Sequence, residues 1–145
     1  MKDFPDFTKC ISINSSPERV WQAISSADLI KKWMLDEDLE IEVGNKPGEP
    51  FIVKGNLHWV PFENKGFVLH SDWEKRFSYS HLSSLSGLKD LPQNYTVVDF
   101  NIIEGTRETT LELRLSNFPT ESIYKHVVFY WNTTLGVLKT FIEKS

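Results

Sequence analysis

The C-terminal segment from Glu121 to Lys144 most constrains the fold of this chain. Its apolar residues recur at helical spacing and form one stripe, made of Tyr124, Val127, Val128, Trp131, Leu135, Leu138 and Ile142. Pro119 lies just before the segment and Thr120 can cap it. The pattern therefore predicts a single helix about 36 Å long, which requires an extended apolar surface to cover its stripe.

The N-terminal part of the chain predicts one strand followed by two short helices. Residues 7–14 alternate between two faces, as in a strand. Ser16 and Pro17 are typical of a helix start, and Ser26 can cap a second helix. The apolar faces of these helices would be formed by Val20, Trp21 and Ile24 and by Leu29, Ile30, Trp33 and Met34.

The middle of the chain predicts about six consecutive strands joined by short turns. The predicted strands are 39–43, 51–59, 65–71, 73–81, 95–104 and 107–117, with turns at 44–48 and 61–66 and a leucine-containing loop at 82–94. Consecutive strands with short turns favour an antiparallel sheet. Two short helices cannot bury the inner face of such a sheet, so the C-terminal helix must lie across it.

Size and charge limit the classes of function. The 145 residues are enough for one domain, taken as 1–145. The net charge of −4 argues against nucleic acid as a partner. No apolar run approaches the roughly 20 residues of a membrane helix. A single cysteine, Cys10, and an N-terminus without a signal-peptide pattern predict a cytoplasmic protein without membrane insertion.

Chemical motifs are weak. His58, His70, His81 and His126 form no metal-binding pattern, and nothing near Cys10 would activate a thiol. We therefore predict no catalytic residue, no metal and no cofactor. One alternative stays open for Asp99, which faces solvent if Val98 and Phe100 face inward, but becomes a buried acid with a raised pKa if the register is reversed.

Several stretches together resemble a known superfamily. I11-S-I-N-S-S-P-E-R-V-W-Q-A-I-S-S-A-D-L-I-K-K-W33 is similar to the opening of SRPBCC (START-like) proteins. G105-T-R-E-T-T-L-E-L-R-L115 resembles the penultimate strand of the branch named for the activator of the heat-shock-protein-ninety ATPase. H126-V-V-F-Y-W131 and L135-G-V-L-K139 resemble the terminal helix of that branch, and the segment 68–80 occupies the place of its central hairpin.

The resemblance spans Phe7 to Glu143 and has two departures. Asp72-Trp73-Glu74 stands where prolines are usual, and Ser26-Ala27 replaces an acidic-Pro pair. It implies an α+β helix-grip fold, in which a curved antiparallel sheet of about six to seven strands wraps around the long C-terminal helix. It also implies a cavity between sheet and helix. It does not transfer an activity, because members include lipid carriers, polyketide cyclases and chaperone regulators.

The aromatic residues are the remaining signal for a binding site. The residues expected to line the cavity are Trp33, Met34, Trp59, Phe77, Tyr79, Phe100, Leu113, Tyr130, Trp131 and Leu135. Gly136, inside the long helix, suggests the close approach of another group. Leu82, Leu85, Leu88 and Leu91 are expected to form a lid over one entrance, since exposed leucines otherwise cost solubility.

Three functions remain open at this point. The leading one is a non-enzymatic domain that binds a small hydrophobic or amphipathic ligand. The second is a co-chaperone-like interaction domain that regulates a chaperone ATPase, favoured by the acidic segment Asp36–Glu42. The third is a cyclase- or hydrolase-like enzyme that uses Asp99, His70 or His81. The protein is expected to be a monomer or a homodimer.

Overall fold

The computed structural model describes residues 4–35 and 38–145, with the backbone alone at residue 57. Within these ranges the chain forms seven strands and three α-helices. They are β1 (Phe7–Ile13), α1 (Pro17–Ser25), α2 (Ala27–Trp33), β2 (Leu39–Val43), β3 (Pro50–Leu57), β4 (Val60–Asp72), β5 (Arg76–Ser83), β6 (Thr96–Glu104), β7 (Thr109–Ser116) and α3 (Glu121–Lys144), with a short 3-10 turn at Pro92–Asn94.

The strands form one antiparallel sheet in the order β1-β7-β6-β5-β4-β3-β2. Strands β2 to β7 follow one another as a meander, while β1 pairs with β7 at the far edge. Alternation places Leu111, Leu113 and Leu115 of β7 on the inner face, where all three are fully buried. The predicted α+β helix-grip fold is confirmed.

Helix α3 packs its predicted stripe against the core. Thr120 caps its first turn, with the side-chain oxygen accepting a hydrogen bond from the Ile123 N–H at 3.1 Å. The C-terminal half is held along the edge strand β1. Lys139 Nζ donates to the Ser12 carbonyl at 2.6 Å, and the Asn14 N–H donates to the Glu143 carboxylate at 2.8 Å.

The side chain of Trp33 joins the two short helices to each other. The Ser16 side chain accepts a hydrogen bond from the Arg19 N–H at 3.3 Å, as expected of a cap. Trp33, at the end of α2, donates its ring N–H to the Ala23 carbonyl of α1 at 2.8 Å. Because a buried indole needs a hydrogen-bond acceptor, this contact fixes α2 against α1.

The prediction of a turn at 61–66 was wrong. The hairpin between β3 and β4 turns earlier, at His58 and Trp59, whose φ angles are 49° and 70°. Two positive φ angles in succession define a type I′ turn, which normally selects Asn and Gly. Since the sequence has neither residue there, the turn is not visible in it. Likewise, Trp73 lies in the β4–β5 turn rather than in a strand.

The expectation for Gly136 was also wrong. A Cβ added at Gly136 would meet no atom within 4 Å, so this glycine faces open space rather than a close neighbour. The tight contact is at Gly66 of β4, where an added Cβ would lie 1.7 Å from the Ser80 carbonyl oxygen. Gly66 is therefore required by the close approach of β4 and β5.

Candidate ligand-binding cleft

A cavity of about 260 Å³ lies between the N-terminal half of α3 and strands β3 to β5. We call it the inner chamber. Its walls are predominantly apolar and aromatic, and they are formed by Met34, Leu35, Phe51, Val53, Phe62, Asn64, Tyr79, His81, Ser83, His126, Val127, Tyr130 and Trp131. The chamber lies where the helix is not fastened to the sheet edge, since the hydrogen bonds from α3 to β1 start at Asn132.

Two aromatic rings form the floor of the inner chamber. Phe51 of β3 and Tyr79 of β5 stack with their ring centroids 3.6 Å apart. Their strands are separated by β4, on which Gly66 is the residue paired with Phe51. Because Gly66 has no side chain to separate the rings, they can meet across β4. Burial raises the pKa of the Tyr79 hydroxyl well above its ordinary value.

The inner chamber ends in a polar group of side chains on β4 and β5. Asn64 pairs with Ser83 across the two strands, and His81 lies two residues from Ser83 on the same face. In the described ranges, three buried side-chain polar atoms have no hydrogen-bond partner in the protein, and two of them are here: Asn64 Oδ1 and His81 Nδ1. Burial, with a smaller effect of nearby His126, lowers the pKa of His81 to about 4.

A second cavity of about 380 Å³, the outer chamber, adjoins the first. The two chambers share Asn64, His81, Ser83, His126 and Val127. Ser86, Asn94, Thr96, Thr120 and Ser122 contribute hydroxyl and amide groups to the walls of the outer chamber, and Leu82, Leu85 and Ile123 contribute apolar surface. The inner chamber alone is slightly smaller than the roughly 300 Å³ of a small ligand site, whereas the outer chamber exceeds that size. We call the two chambers together the cleft.

Four of the ten residues expected to line a cavity do so: Met34, Tyr79, Tyr130 and Trp131. Tyr130 also donates its hydroxyl to the Met34 carbonyl, which holds α3 against the end of α2. Among the described side chains that do not line the cleft are Trp33, Phe77, Phe100, Leu113 and Leu135, all buried in the core. Phe100 packs edge-on against Trp131 of α3, and Phe77 packs edge-on against Trp21 of α1.

Trp59 was misplaced by the sequence pattern. Strand parity put it on the face of Phe51 and Val53, but the strand ends at residue 57 and Trp59 projects from the hairpin tip, 96% exposed. Sequence reasoning also missed Phe62 and Asn64, because the segment 61–66 has the composition of a turn. Once β4 is known to begin at Val60, alternation from the buried Val68 assigns both residues to the inner face.

The three side chains considered for acid–base chemistry do not lie together. Asp99 is on the outer face of the sheet, where Arg76 Nε and Nη2 donate to its two carboxylate oxygens at 3.0 Å each. His70 is also on the outer face, hydrogen-bonded to the Ser78 hydroxyl at 2.7 Å. Of these three, His81 alone lines the cleft. In the ranges 4–35 and 38–145, no cluster of His, Cys, Asp and Glu could hold a metal ion.

The leucine loop between β5 and β6 contributes to the outer chamber through Leu82 and Leu85, whereas Leu88 and Leu91 are not among its lining residues. Asp90 holds this loop to the sheet, accepting a hydrogen bond from the Tyr95 hydroxyl at 2.6 Å and pairing with Lys65 Nζ at 2.6 Å. Both contacts lower the pKa of the Asp90 carboxyl. That these leucines act as a lid stays a prediction.

The acidic segment 36–42 is described only from Asp38 onward, because residues 36 and 37 lie outside the described ranges. Glu40 and Glu42 are exposed on β2, the edge strand at the end of the sheet opposite β1. Charged side chains on an edge strand oppose pairing with another sheet.

Among the helices that the structure describes, none combines the length and the hydropathy that a membrane span requires.

Several proteins of known structure have the same fold. ChR145 from Cytophaga hutchinsonii is 32% identical, with a TM-score of 0.80 over 99% of this chain and 97% of its own. MLL2253 from Mesorhizobium loti is 19% identical, with a TM-score of 0.77 over 97% and 98% of the two chains. The Aha1 dimer from Colwellia psychrerythraea is 22% identical, with a TM-score of 0.73 over 97% of each. No curated protein is significantly similar.

The family assignment rests on most of the chain. The model of the family described as "Activator of Hsp90 ATPase homolog 1-like protein" matches residues 14–143, which include α1, α2, strands β2 to β7 and all of α3 except Lys144. The match, together with the seven-stranded sheet and the long terminal helix, confirms the resemblance drawn from the sequence. The chain belongs to the family of activator of Hsp90 ATPase homolog 1-like proteins.

Proposed function

We propose that this protein is a non-enzymatic binding domain that holds a small hydrophobic or amphipathic molecule in the cleft between the sheet and α3. The observation that carries the proposal is the inner chamber, an aromatic cavity that ends in unpartnered polar atoms. A core selected only for stability would fill such a space, since each unfilled methyl-sized void costs about 1 kcal/mol.

The helix residue Val127 allows a direct test, because it lines both chambers and is buried. Val127→Phe would place a ring at the junction of the chambers. A neutral apolar dye, N-phenyl-1-naphthylamine, is titrated into both proteins, and its fluorescence reports binding. We expect the wild type to bind the dye and the variant to lose at least about tenfold in affinity, the effect of one blocked contact surface worth about 1.4 kcal/mol.

Val137→Phe is the matched control, because Val137 lies on the exposed side of the same helix. This variant should bind the dye as the wild type does. Native mass spectrometry of protein purified from its own cells then looks for a retained ligand of low mass. If the wild type neither binds the dye nor retains a ligand, or if both valine variants bind equally well, the proposal is wrong.

A second candidate function is protein interaction, as in a co-chaperone. It is supported by the exposed carboxylates of Glu40 and Glu42 on β2 and by membership of the family of activator of Hsp90 ATPase homolog 1-like proteins. The similar Colwellia protein is described as an Aha1 dimer, which makes self-association part of this candidate. Stimulation of a chaperone ATPase by the purified domain tests it, with Glu40→Lys and Glu42→Lys as the variants expected to abolish stimulation.

A further inference from the structure

The walls of the cleft contain hydrogen-bonding groups but almost no charge. Among the described residues, no lysine, arginine, aspartate or glutamate lines either chamber. Among the described lining side chains, His126, an exposed residue of α3, is the one besides His81 that can carry a positive charge. A ligand carboxylate or phosphate that moved from water into the cleft would find no cationic partner there, and buried anions require one. Fixed charge on the ligand is therefore disfavoured.

The unpartnered polar atoms where the two chambers meet indicate which polar group of a ligand would bind there. Asn64 Oδ1 is a hydrogen-bond acceptor, and a buried acceptor without a partner costs about 1–3 kcal/mol. His81 is neutral at physiological pH, because burial lowers its pKa to about 4, so its ring offers one N–H and one bare nitrogen. A carboxylate only accepts hydrogen bonds and would face the Asn64 oxygen unfavourably.

The register brings the two side chains within reach of one ligand atom. Asn64 pairs with Ser83, so His81 is its diagonal neighbour on the same face of β4 and β5. Diagonal neighbours lie about 7–8 Å apart, which leaves room for one oxygen between them. A hydroxyl donates one hydrogen bond and accepts others, so it can donate to Asn64 Oδ1 and still bond to His81 in either tautomer.

We propose that the cleft selects a neutral hydroxyl-bearing amphipath, with its apolar part in the inner chamber and its hydroxyl between Asn64 and His81. This inference rests on the proposed function and adds the class of ligand. Further hydroxyls of the same molecule would meet the seryl and threonyl side chains of the outer chamber, among them Thr96 and Ser122. Fatty acids and phospholipids are disfavoured by the same argument.

Three probes of one shape test the proposal: 2-naphthalenemethanol, 2-naphthoate and 2-methylnaphthalene, titrated calorimetrically at pH 8, where an ordinary histidine is neutral. They differ only in carrying a hydroxyl, a carboxylate or no polar group. We expect the alcohol to bind about 3- to 10-fold more tightly than the hydrocarbon, the gain of one hydrogen bond of usual strength. The naphthoate should bind at least tenfold more weakly than the alcohol.

Two isosteric variants and one spectroscopic signal locate the effect. Asn64→Leu and His81→Phe should bring the alcohol down to the affinity of the hydrocarbon, whereas His70→Phe, on the outer face, should leave the ranking unchanged. In the wild-type protein, the alcohol but not the hydrocarbon should shift the ring ¹⁵N resonances of His81. Because this measurement uses the wild-type protein, it tests the proposal even if a substitution prevents folding.

The outcomes separate the two proposals. If none of the three compounds binds and no neutral dye enters, the binding function itself is wrong. If the naphthoate binds as tightly as the alcohol, or if the hydrocarbon does, the cleft still binds ligands but the hydroxyl subsite is wrong. An unchanged His81 resonance on addition of a bound alcohol also overturns the subsite.

Discussion

The rings of Phe51 and Tyr79 stack face to face, with centroids 3.6 Å apart and 7° between their planes, although a third strand runs between the two that carry them. Both side chains are buried, and both line the inner chamber. The pair therefore belongs to the core and to the cleft at once. We therefore expect removal of either ring to lower the free energy of unfolding more than it weakens ligand binding.

Truncation of one partner tests this dual role. Phe51→Ala should lower the free energy of unfolding by about 3–5 kcal/mol, the usual cost of removing a buried phenylalanine ring. Tyr79→Phe keeps the stack and should change stability by less than about 1 kcal/mol. Urea unfolding followed by circular dichroism measures both. A loss below about 1 kcal/mol for Phe51→Ala would mean that the floor of the chamber is not part of the stabilising core.

Acid should destabilise the fold through His81. The pKa of this residue is about 4 in the folded protein and 6.5 ordinarily, so between those values the unfolded chain binds a proton that the folded chain does not. The stability that neutral His81 contributes is fully present above pH 6.5 and is lost as the pH is lowered toward 4. The expected loss from pH 7 to pH 5 is about 2 kcal/mol, measured by urea unfolding at each pH.

His81→Gln should remove most of this pH dependence, and His70→Gln should retain it. Asp90 and Glu143 also have lowered pKa values, but their ordinary values of 3.8 and 4.5 place their contribution below pH 5. Measuring only down to pH 5 therefore isolates the histidine. Equal slopes for the wild type and His81→Gln would contradict the assignment.

Two glycine substitutions should have opposite effects. Gly136→Ala should stabilise the protein by up to about 1 kcal/mol, because alanine favours the helix and its methyl group meets nothing within 4 Å. Gly66→Ala should destabilise it severely, since the added carbon would lie 1.7 Å from the Ser80 carbonyl oxygen. Thermal unfolding of both variants gives the comparison. Destabilisation by Gly136→Ala would show that the outer side of α3 is covered in solution.

The β3–β4 turn should be improvable. His58 and Trp59 both have positive φ, which costs non-glycine residues of order 1–3 kcal/mol each. Replacing them together, His58→Asn with Trp59→Gly, should raise the free energy of unfolding by about 1–2 kcal/mol. The control is Trp59→Ala alone, which removes the exposed ring without relieving the backbone and should not stabilise. Equal stabilisation by both variants would indicate that the exposed indole, not the turn, was unfavourable.

The same hairpin shows where sequence reasoning stops. Strand alternation in β7 and the stripe of α3 could be predicted residue by residue, because long periodic segments report which side is buried. The turn at His58 and Trp59 could not, because tertiary pairing imposes a type I′ geometry on residues that do not favour it. Proline, asparagine and glycine at 61–66 then suggested a turn inside what is a continuous strand.

The existence of a cleft could be predicted from the sequence, but the identity of its lining residues could not. The family resemblance implies a cavity, and strand parity identifies which side chains face inward. Parity cannot tell Tyr79, which borders the void, from Phe77, which is covered by the core, since both face the same way and both are buried. The difference depends on what covers each position: Trp21 of α1 packs edge-on against Phe77, with ring centroids 5.9 Å apart, whereas Tyr79 borders the chamber. The polar pair of Asn64 and His81 depends in addition on a strand register that spacing alone does not give.

The contact between the Asn14 N–H and the Glu143 carboxylate joins residues 129 positions apart. Strand β1 is likewise paired with β7, close to the other end of the sequence. During synthesis, β1 therefore has no partner until β7 has left the ribosome, and the surface that α3 will cover stays open until α3 follows. Contacts so distant in sequence slow folding. Until β7 emerges, β1 is an unpaired strand.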